Sequence, residues 1–326
     1  MLSKLGSASL AVIIGVVGAV ALFWVLNKLV ELLPGKWEDR VKPYALLLPA
    51  IAAISLMLLY PAILTINYSF RNADGTKSVG MANYTKLLSN SNFQQALLNN
   101  LLWLLIVPAV CVALGLFVAI LTDRLSPGKE KVAKSIIFMP MAISMVGASI
   151  IWMLIYSYLP GNTQIGLLNE IVVKFGGTPQ TWLQFTTAHI NSLLLMIVYI
   201  WLQTGYCMVL LSAAIKGVPD DTIEAGRIDG ASEVGIFFRI IVPQAWPTVI
   251  TVFITTLIGV MKVFDIVYVM TNGTANTDVI GNTFYHAMFI ENNQGKASAV
   301  VVILMLAIVP VMVYQVRQFR KQEESR

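Results

Sequence analysis

Apolar residues in this chain neither alternate nor recur at a helical period. They run on for twenty or more positions at a time, interrupted by short polar stretches. Seven such runs stand out, at about residues 8–30, 46–66, 97–121, 135–158, 188–214, 248–270 and 297–316. At 1.5 Å per residue, about 20 residues of helix cross the roughly 30 Å hydrocarbon layer of a bilayer. Each run therefore predicts a membrane-crossing helix. The first, apolar from Leu5 to Val30, is too long for the core of a signal peptide, and no clear small-residue cleavage site follows it. It is expected to be a retained helix. Pro49, Pro61, Pro108, Pro140 and Pro310 fall inside the runs and predict kinks. No internal repeat is visible, so the inverted-repeat signature of many secondary transporters is not in evidence.

Composition agrees: 57% of the 326 residues are hydrophobic and 12% are charged. Soluble domains carry about twice that share of charge. Lipid must be the main solvent, which excludes a soluble enzyme, a nucleic-acid module and a disordered chain. The net charge of +5 is unevenly spread. Segments 31–45, 122–134, 215–247 and 317–326 carry 14 Lys and Arg, against 6 in the alternate set. The excess of basic residues marks cytoplasmic loops. Positive-inside logic thus places the first set and the C-terminus in the cytoplasm, and seven crossings would leave the N-terminus outside. Cys111 and Cys207 lie within apolar runs and read as structural thiols, and His189 and His286 lack ligand partners at metal spacing. No metal site is expected.

The loop 216–247 is the most informative. Pro219 ends the preceding span, and Asp221 with Glu224 has capping-box spacing at the start of a short helix. Gly230 can close that helix in the left-handed conformation, and Ser232 can cap a second one. Val234, Phe237, Phe238 and Ile241 would form one apolar face of this second helix, anchoring it to the bundle, with Pro243 and Pro247 stopping it before the next span. The loop is thus expected to be a helix–glycine–helix hairpin at the membrane surface. Glu224-Ala225, Asp229-Gly230-Ala231 and, thirteen residues after Gly230, Pro243 resemble the EAA loop of ABC importer permeases. Gly226 stands where that family prefers Ala, and Val242 where it prefers Leu. Further stretches resemble the sugar-importer branch, of the maltose-type larger permease. They are Asn99-Asn100-Leu-Leu-Trp103, Phe138 to Ser144, Trp201-Leu-Gln-Thr-Gly205 and Val263 to Gly273. The region from Trp24 to Tyr44 is similar to α-glucoside permeases in particular.

The resemblance implies an all-α polytopic membrane protein with the type I ABC importer transmembrane fold: six core helices plus one N-terminal helix. Residues 1–45 would be the extra helix and a cytoplasmic linker. Residues 46–326 would be the core permease, with its coupling loop at 216–247. The EAA loop would dock on a cytoplasmic ATPase through Glu224, Ala225, Asp229, Gly230, Ala231 and Pro243. The chain has no G-x-x-x-x-G-K-[ST] loop to cradle ATP phosphates, so ATP and Mg belong on a separate ATPase and no cofactor is expected here. The implied partners are a second permease chain, two ATPase copies and an extracytoplasmic sugar-binding protein, in a bacterial or archaeal cytoplasmic (inner) membrane. A nucleic-acid partner is not expected.

Sugar recognition needs aromatic faces for C–H surfaces and neutral hydrogen-bonding groups for hydroxyls. Tyr199, Leu202, Gln203 and Tyr206 form such a stripe at i, i+3, i+4, i+7; Thr248, Thr251, Thr255, Gly259 and Lys262 form another narrow face, with Thr256 beside it. The bland reading of these polar positions is interhelical hydrogen bonding. The resemblance adds that Tyr199, Leu202, Gln203, Tyr206, Thr256 and Val260 match substrate-lining positions of maltose-type permeases. Lys262 and Asp265, an i, i+3 pair, are expected to satisfy each other near the outer end of a span. A rival class, the proton- or ion-coupled secondary transporter, would use Asp265 as its coupling acid.

Overall fold

The computed structural model describes residues 2–161 and 164–324. The described chain is helical, apart from turns and one isolated bridge between Arg71 and Ser78. It divides into two compact units, residues 1–67 and 68–326.

The first unit holds α1 (Leu2–Glu31) and most of α2 (Gly35–Ser69), joined at Pro34. From Gly35 to Leu59 no residue is buried, so the apolar faces of α2 are turned outward along most of its length. Polar contacts cluster at the junction, where Lys28 pairs with Glu31 at 2.8 Å and Lys42 with Glu38 at 3.6 Å. Within α2, residues Ser55–Leu59 form a π turn, and the Tyr60 N–H donates to the carbonyl five residues back. Pro61 follows at once. A proline ring clashes with the carbonyl four residues before it and offers that carbonyl no N–H. Widening the preceding turn lets the helix absorb the proline without breaking.

The second unit begins with α3 (Ala82–Ser89) and α4 (Ser91–Asp123). Then come α5 (Pro127–Phe138), which runs into a tight turn at Met139–Ala142, α6 (Met145–Ile155) and α7 (Leu167–Lys174). It continues through α8 (Ile190–Lys216), α9 (Asp220–Ile228) and α10 (Glu233–Met261), and closes with α11 (Asp265–Met270), α12 (Ile280–Tyr285) and α13 (Gln294–Glu324). By length and apolarity six helices of the described chain could cross a membrane, or seven if α5 and α6 count as one bent span.

Three expectations are corrected. The run 135–158 is not one straight helix, because α5 and α6 meet at an angle of 100°. Pro140 sits in the tight turn, and Ser144 starts α6 afresh, its Oγ accepting from the Gly147 N–H at 3.1 Å. The run 248–270 also breaks: α10 ends at Met261, and α11 starts at Asp265. Conversely, Pro243 and Pro247 do not stop the helix that begins at Glu233. A π turn at Phe237–Ile241, with Val242 donating to the carbonyl of Phe237, precedes Pro243 just as its counterpart precedes Pro61. The hairpin's second arm and the next span are therefore one helix.

The core gathers around α4, against α8 and α10. Trp103, Val107, Cys111 and Ala119 of α4 are sealed from solvent, as are Leu195, Met196, Val198, Met208 and Leu211 of α8 and Val252 and Val260 of α10. Gly115 sets the spacing of α4 and α8, since a Cβ there would lie 2.6 Å from the Cys207 Cβ. Small residues at crossings let membrane helices approach closely, where dispersion replaces the hydrophobic drive that lipid removes. At the far end from the hairpin, three buried asparagines hold one loop. Asn99 donates to the carbonyls of Asn276 (2.6 Å) and Asp278 (2.8 Å), and Asn191 to that of Ala275 (2.7 Å). The Asn100 Oδ1 accepts from the Ile280 N–H at 2.7 Å. The loop they pin has left-handed backbone at Asn272, Gly273, Ala275 and Asn276.

Candidate functional site

The hairpin is built largely as its residues dictate. Pro219 precedes α9, and Asp220 and Asp221 occupy its first turn, where the helix dipole favours acids. The expected Asp221–Glu224 capping box does not form: the helix starts one residue before Asp221, and its cap is a proline with no side-chain acceptor. The closing turn is as expected. Gly230 has φ +79°, its N–H donates to the Arg227 carbonyl, and the Ala231 N–H reaches the Gly226 carbonyl, each at 3.0 Å. These two bonds are the paired closure of a Schellman motif. Ser232 then caps α10, accepting from the Gly235 N–H at 3.1 Å.

The two arms are held by one polar and one apolar contact that sequence reasoning did not find. Arg227 donates from Nε and Nη2, one edge of its guanidinium, to the two carboxylate oxygens of Glu233 at 2.8 and 3.3 Å, and this carboxylate holds the Arg227 pKa above its ordinary value. Six residues apart across a turn, the two offered no helical spacing to flag them. Beneath, Gly226 is buried against Ile236 and Ile240, and a Cβ at 226 would lie 2.7 Å from the Ile240 Cδ1. The glycine is where the arms touch, and its lack of a Cβ lets them close on each other. The apolar anchor is likewise corrected: Ile236 is the sealed residue, whereas Val234 and Phe238 are 67% and 64% exposed. The expected face of Val234, Phe237, Phe238 and Ile241 does exist, but it lines an open cavity of about 380 Å³. Ile120, Asp123, Arg124 and Ile215 border the same cavity. Glu224, Ala225, Asp229, Gly230 and Ala231 are all exposed on the hairpin, and Pro243 is exposed just past the π turn.

The stripe on α8 is divided. Tyr199 and Leu202 are buried, and so are Thr256 and Val260 on α10. The Tyr199 ring meets Trp103 edge-on at 6.2 Å, and its hydroxyl lies so close to Gly259 that a Cβ there would be 2.5 Å away. Thr256 donates back to the Val252 carbonyl at 2.9 Å and lies 3.7 Å from the Cys207 sulfur. Within this chain these four groups join α4, α8 and α10. Gln203 and Tyr206 are only half-buried and keep surface beyond the chain's own packing. Lys262 and Asp265 do not pair among the described residues. Lys262 is exposed at the end of α10, Asp265 opens α11, and the break between them takes both out of helical register.

Along almost its whole length the chain is similar to known proteins. It is 41% identical to the alpha-glucoside transport system permease protein AglF of Rhizobium meliloti, over 98% of this chain and 99% of that one. It is 46% identical to the osmoprotective compounds uptake permease protein GgtC of Synechocystis, over 85% of this chain and 99% of that one. Its fold matches a chain in the crystal structure of a bacterial ABC transporter importing the acidic polysaccharide alginate. There the TM-score is 0.76 at 21% identity, with 88% of this chain and 99% of that chain covered. Residues 112–323, which hold the end of α4, all of α8 and α10 and the hairpin, match the family described as the binding-protein-dependent transport system inner membrane component. The chain belongs to that family, and its fold is that of the membrane permease subunit of a type I ABC importer.

Proposed function

We propose that this permease forms half of the path by which an α-glucoside or related oligosaccharide enters the cell, driven by ATP hydrolysis on a separate subunit. The sugar class follows from the name of a relative that matches almost the whole chain, an alpha-glucoside permease. The coupling role rests on one observation: every residue from Glu224 to Ala231 that carries the EAA likeness is exposed, on a hairpin whose arms are stapled to each other. Such a hairpin has the form of a rigid docking knob.

In this reading the hairpin and the C-terminus face the cytoplasm of a bacterial or archaeal cell, as the distribution of Lys and Arg directs. A second permease chain completes the path, two ATPase copies receive the hairpins, and an external binding protein presents the sugar. A related alginate transporter has been crystallised with its periplasmic protein bound to an alginate pentasaccharide. Closure of the ATPases pushes on Glu224 to Ala231, and the helix bundle rocks about a mid-membrane site. Gln203 and Tyr206 are the side chains with surface to offer that site; Tyr199, Leu202, Thr256 and Val260 back them. The match to a binding-protein-dependent transport family favours this reading over ion coupling through Asp265.

The test is a mild-detergent pull-down of this chain followed by uptake of radiolabelled maltose, sucrose and trehalose. The wild type should bring down an ATPase and a second permease, and Glu224→Lys should lose the ATPase while still inserting in the membrane. Tyr206→Ala should keep the ATPase and lose at least tenfold in uptake. A chain that purifies alone, or uptake indifferent to Glu224→Lys, would overturn the coupling role; an ATPase lost with Tyr206→Ala would make the stripe structural.

A further inference from the structure

Where α4 and α8 end and α5 begins, near the hairpin, five polar side chains gather. The Lys134 ammonium donates to the Asp123 Oδ1 and the Glu130 Oε1, each at 2.6 Å, and to the Ser212 hydroxyl, which in turn donates to the Asp123 Oδ1 at 2.7 Å. Lys216 closes the ring by pairing with Glu130 and lies 3.8 Å from Asp123. The side chains of Lys134, Asp123 and Glu130 are only 19%, 14% and 16% exposed. The Asp123 Oδ2 is buried with no partner, so this carboxylate is satisfied through Oδ1 alone. None of these residues belongs to the EAA likeness or to the sugar stripe.

Buried charge is a poor way to add stability, since apolar residues of the same shape often do as well. What it adds is direction: an ammonium shared by three acceptors fixes the angle and register of the helices that supply them. Here those helices are α4 (Asp123), α5 (Glu130, Lys134) and α8 (Ser212, Lys216). Asp123 also borders the cavity under the hairpin, together with Arg124, Arg227 and Glu233. The hairpin follows α8 directly, across Gly217–Pro219, so a load on it also enters the bundle at the end of α8 that this cluster holds. Ser212 is six residues, about 9 Å of helix, from Tyr206 on α8.

We propose that the cluster of Asp123, Glu130, Lys134, Ser212 and Lys216 is a positioning junction that locks the ends of α4, α5 and α8 into one body, so that displacement of the hairpin reaches the part of α8 bearing Gln203 and Tyr206. This inference rests on the ATP-coupled reading above. The test uses the whole complex with its binding protein, reconstituted in vesicles, and radiolabelled maltose, sucrose and trehalose presented together. Sugar accumulated per ATP hydrolysed is the readout. Lys134→Met should retain the ATPase and its hydrolysis yet lower sugar per ATP at least tenfold, and Lys134→Arg should recover most of that ratio. An unchanged ratio in Lys134→Met, or hydrolysis and uptake falling in equal proportion, would overturn the junction. Should Lys134→Met fail to assemble, the isosteric Asp123→Asn is measured instead, and a wild-type ratio there overturns the proposal. If the wild-type complex accumulates none of the sugars with ATP, the coupled reading itself has failed, before any variant is compared.

Discussion

Asn99 shows how much a single buried amide can organise. Both of its N–H groups go to main-chain carbonyls of the loop before α12, and it has no exposed surface. Asn99→Leu would leave two carbonyls without their donor, at about 1–3 kcal/mol for each that stays dry. The expected result is a local loosening, read as faster hydrogen exchange of the amides in 271–279 with the α4–α8 core still protected. Uniform acceleration across the chain would instead mean that Asn99 supports the whole fold. Gly115 lies at the other extreme, with no group to offer and a fixed distance to keep. Gly115→Leu would force α4 away from Cys207, and overpacking of this kind costs about 1–3 kcal/mol. A lower Tm in detergent is expected, and an unchanged one would show that the crossing can widen freely.

Among elements, α10 combines two tasks in one continuous helix: it begins as an arm of the hairpin and ends in the core. The π turn at Phe237–Ile241 sets the rotation of the first part relative to the second. Pro243→Ala would restore an N–H and remove the ring clash that the wide turn relieves. The helix should then tighten, turning Ile236 off Gly226 and separating the arms. Insertion should survive while ATP-driven uptake falls severalfold; full uptake would show that the hairpin tolerates rotation. The sequence made most of the long apolar helices, the Gly230 turn and the Ser232 cap legible, because each depends on local composition or on one residue's allowed backbone. It concealed the continuity of α10 because prolines usually end helices, and a π turn has no residue signature. It concealed the 100° bend after α5 because Pro140 read as one more kink within an apolar run. The division of the α8 stripe was also hidden: periodicity aligns Tyr199 with Tyr206, but only packing decides that Trp103 covers the first and leaves the second half-exposed.

At the scale of the molecule, polar groups of the second unit concentrate at the two ends of its bundle, a charged junction at the hairpin end and an amide-pinned loop at the other. Between them the α4–α8–α10 core is built mainly of sealed apolar side chains. The two ends are fixed by different means. The junction depends on side chains meeting side chains, so any change there alters the fit. The far loop is gripped by its backbone: Asn99 and Asn191 hold carbonyls of Ala275, Asn276 and Asp278, and Asn100 holds an amide of Ile280. A main-chain carbonyl is the same whichever residue bears it. Exposed letters of this loop can therefore be rewritten over evolutionary time while its shape is inherited, provided that they keep the left-handed backbone at Asn272 and Asn276.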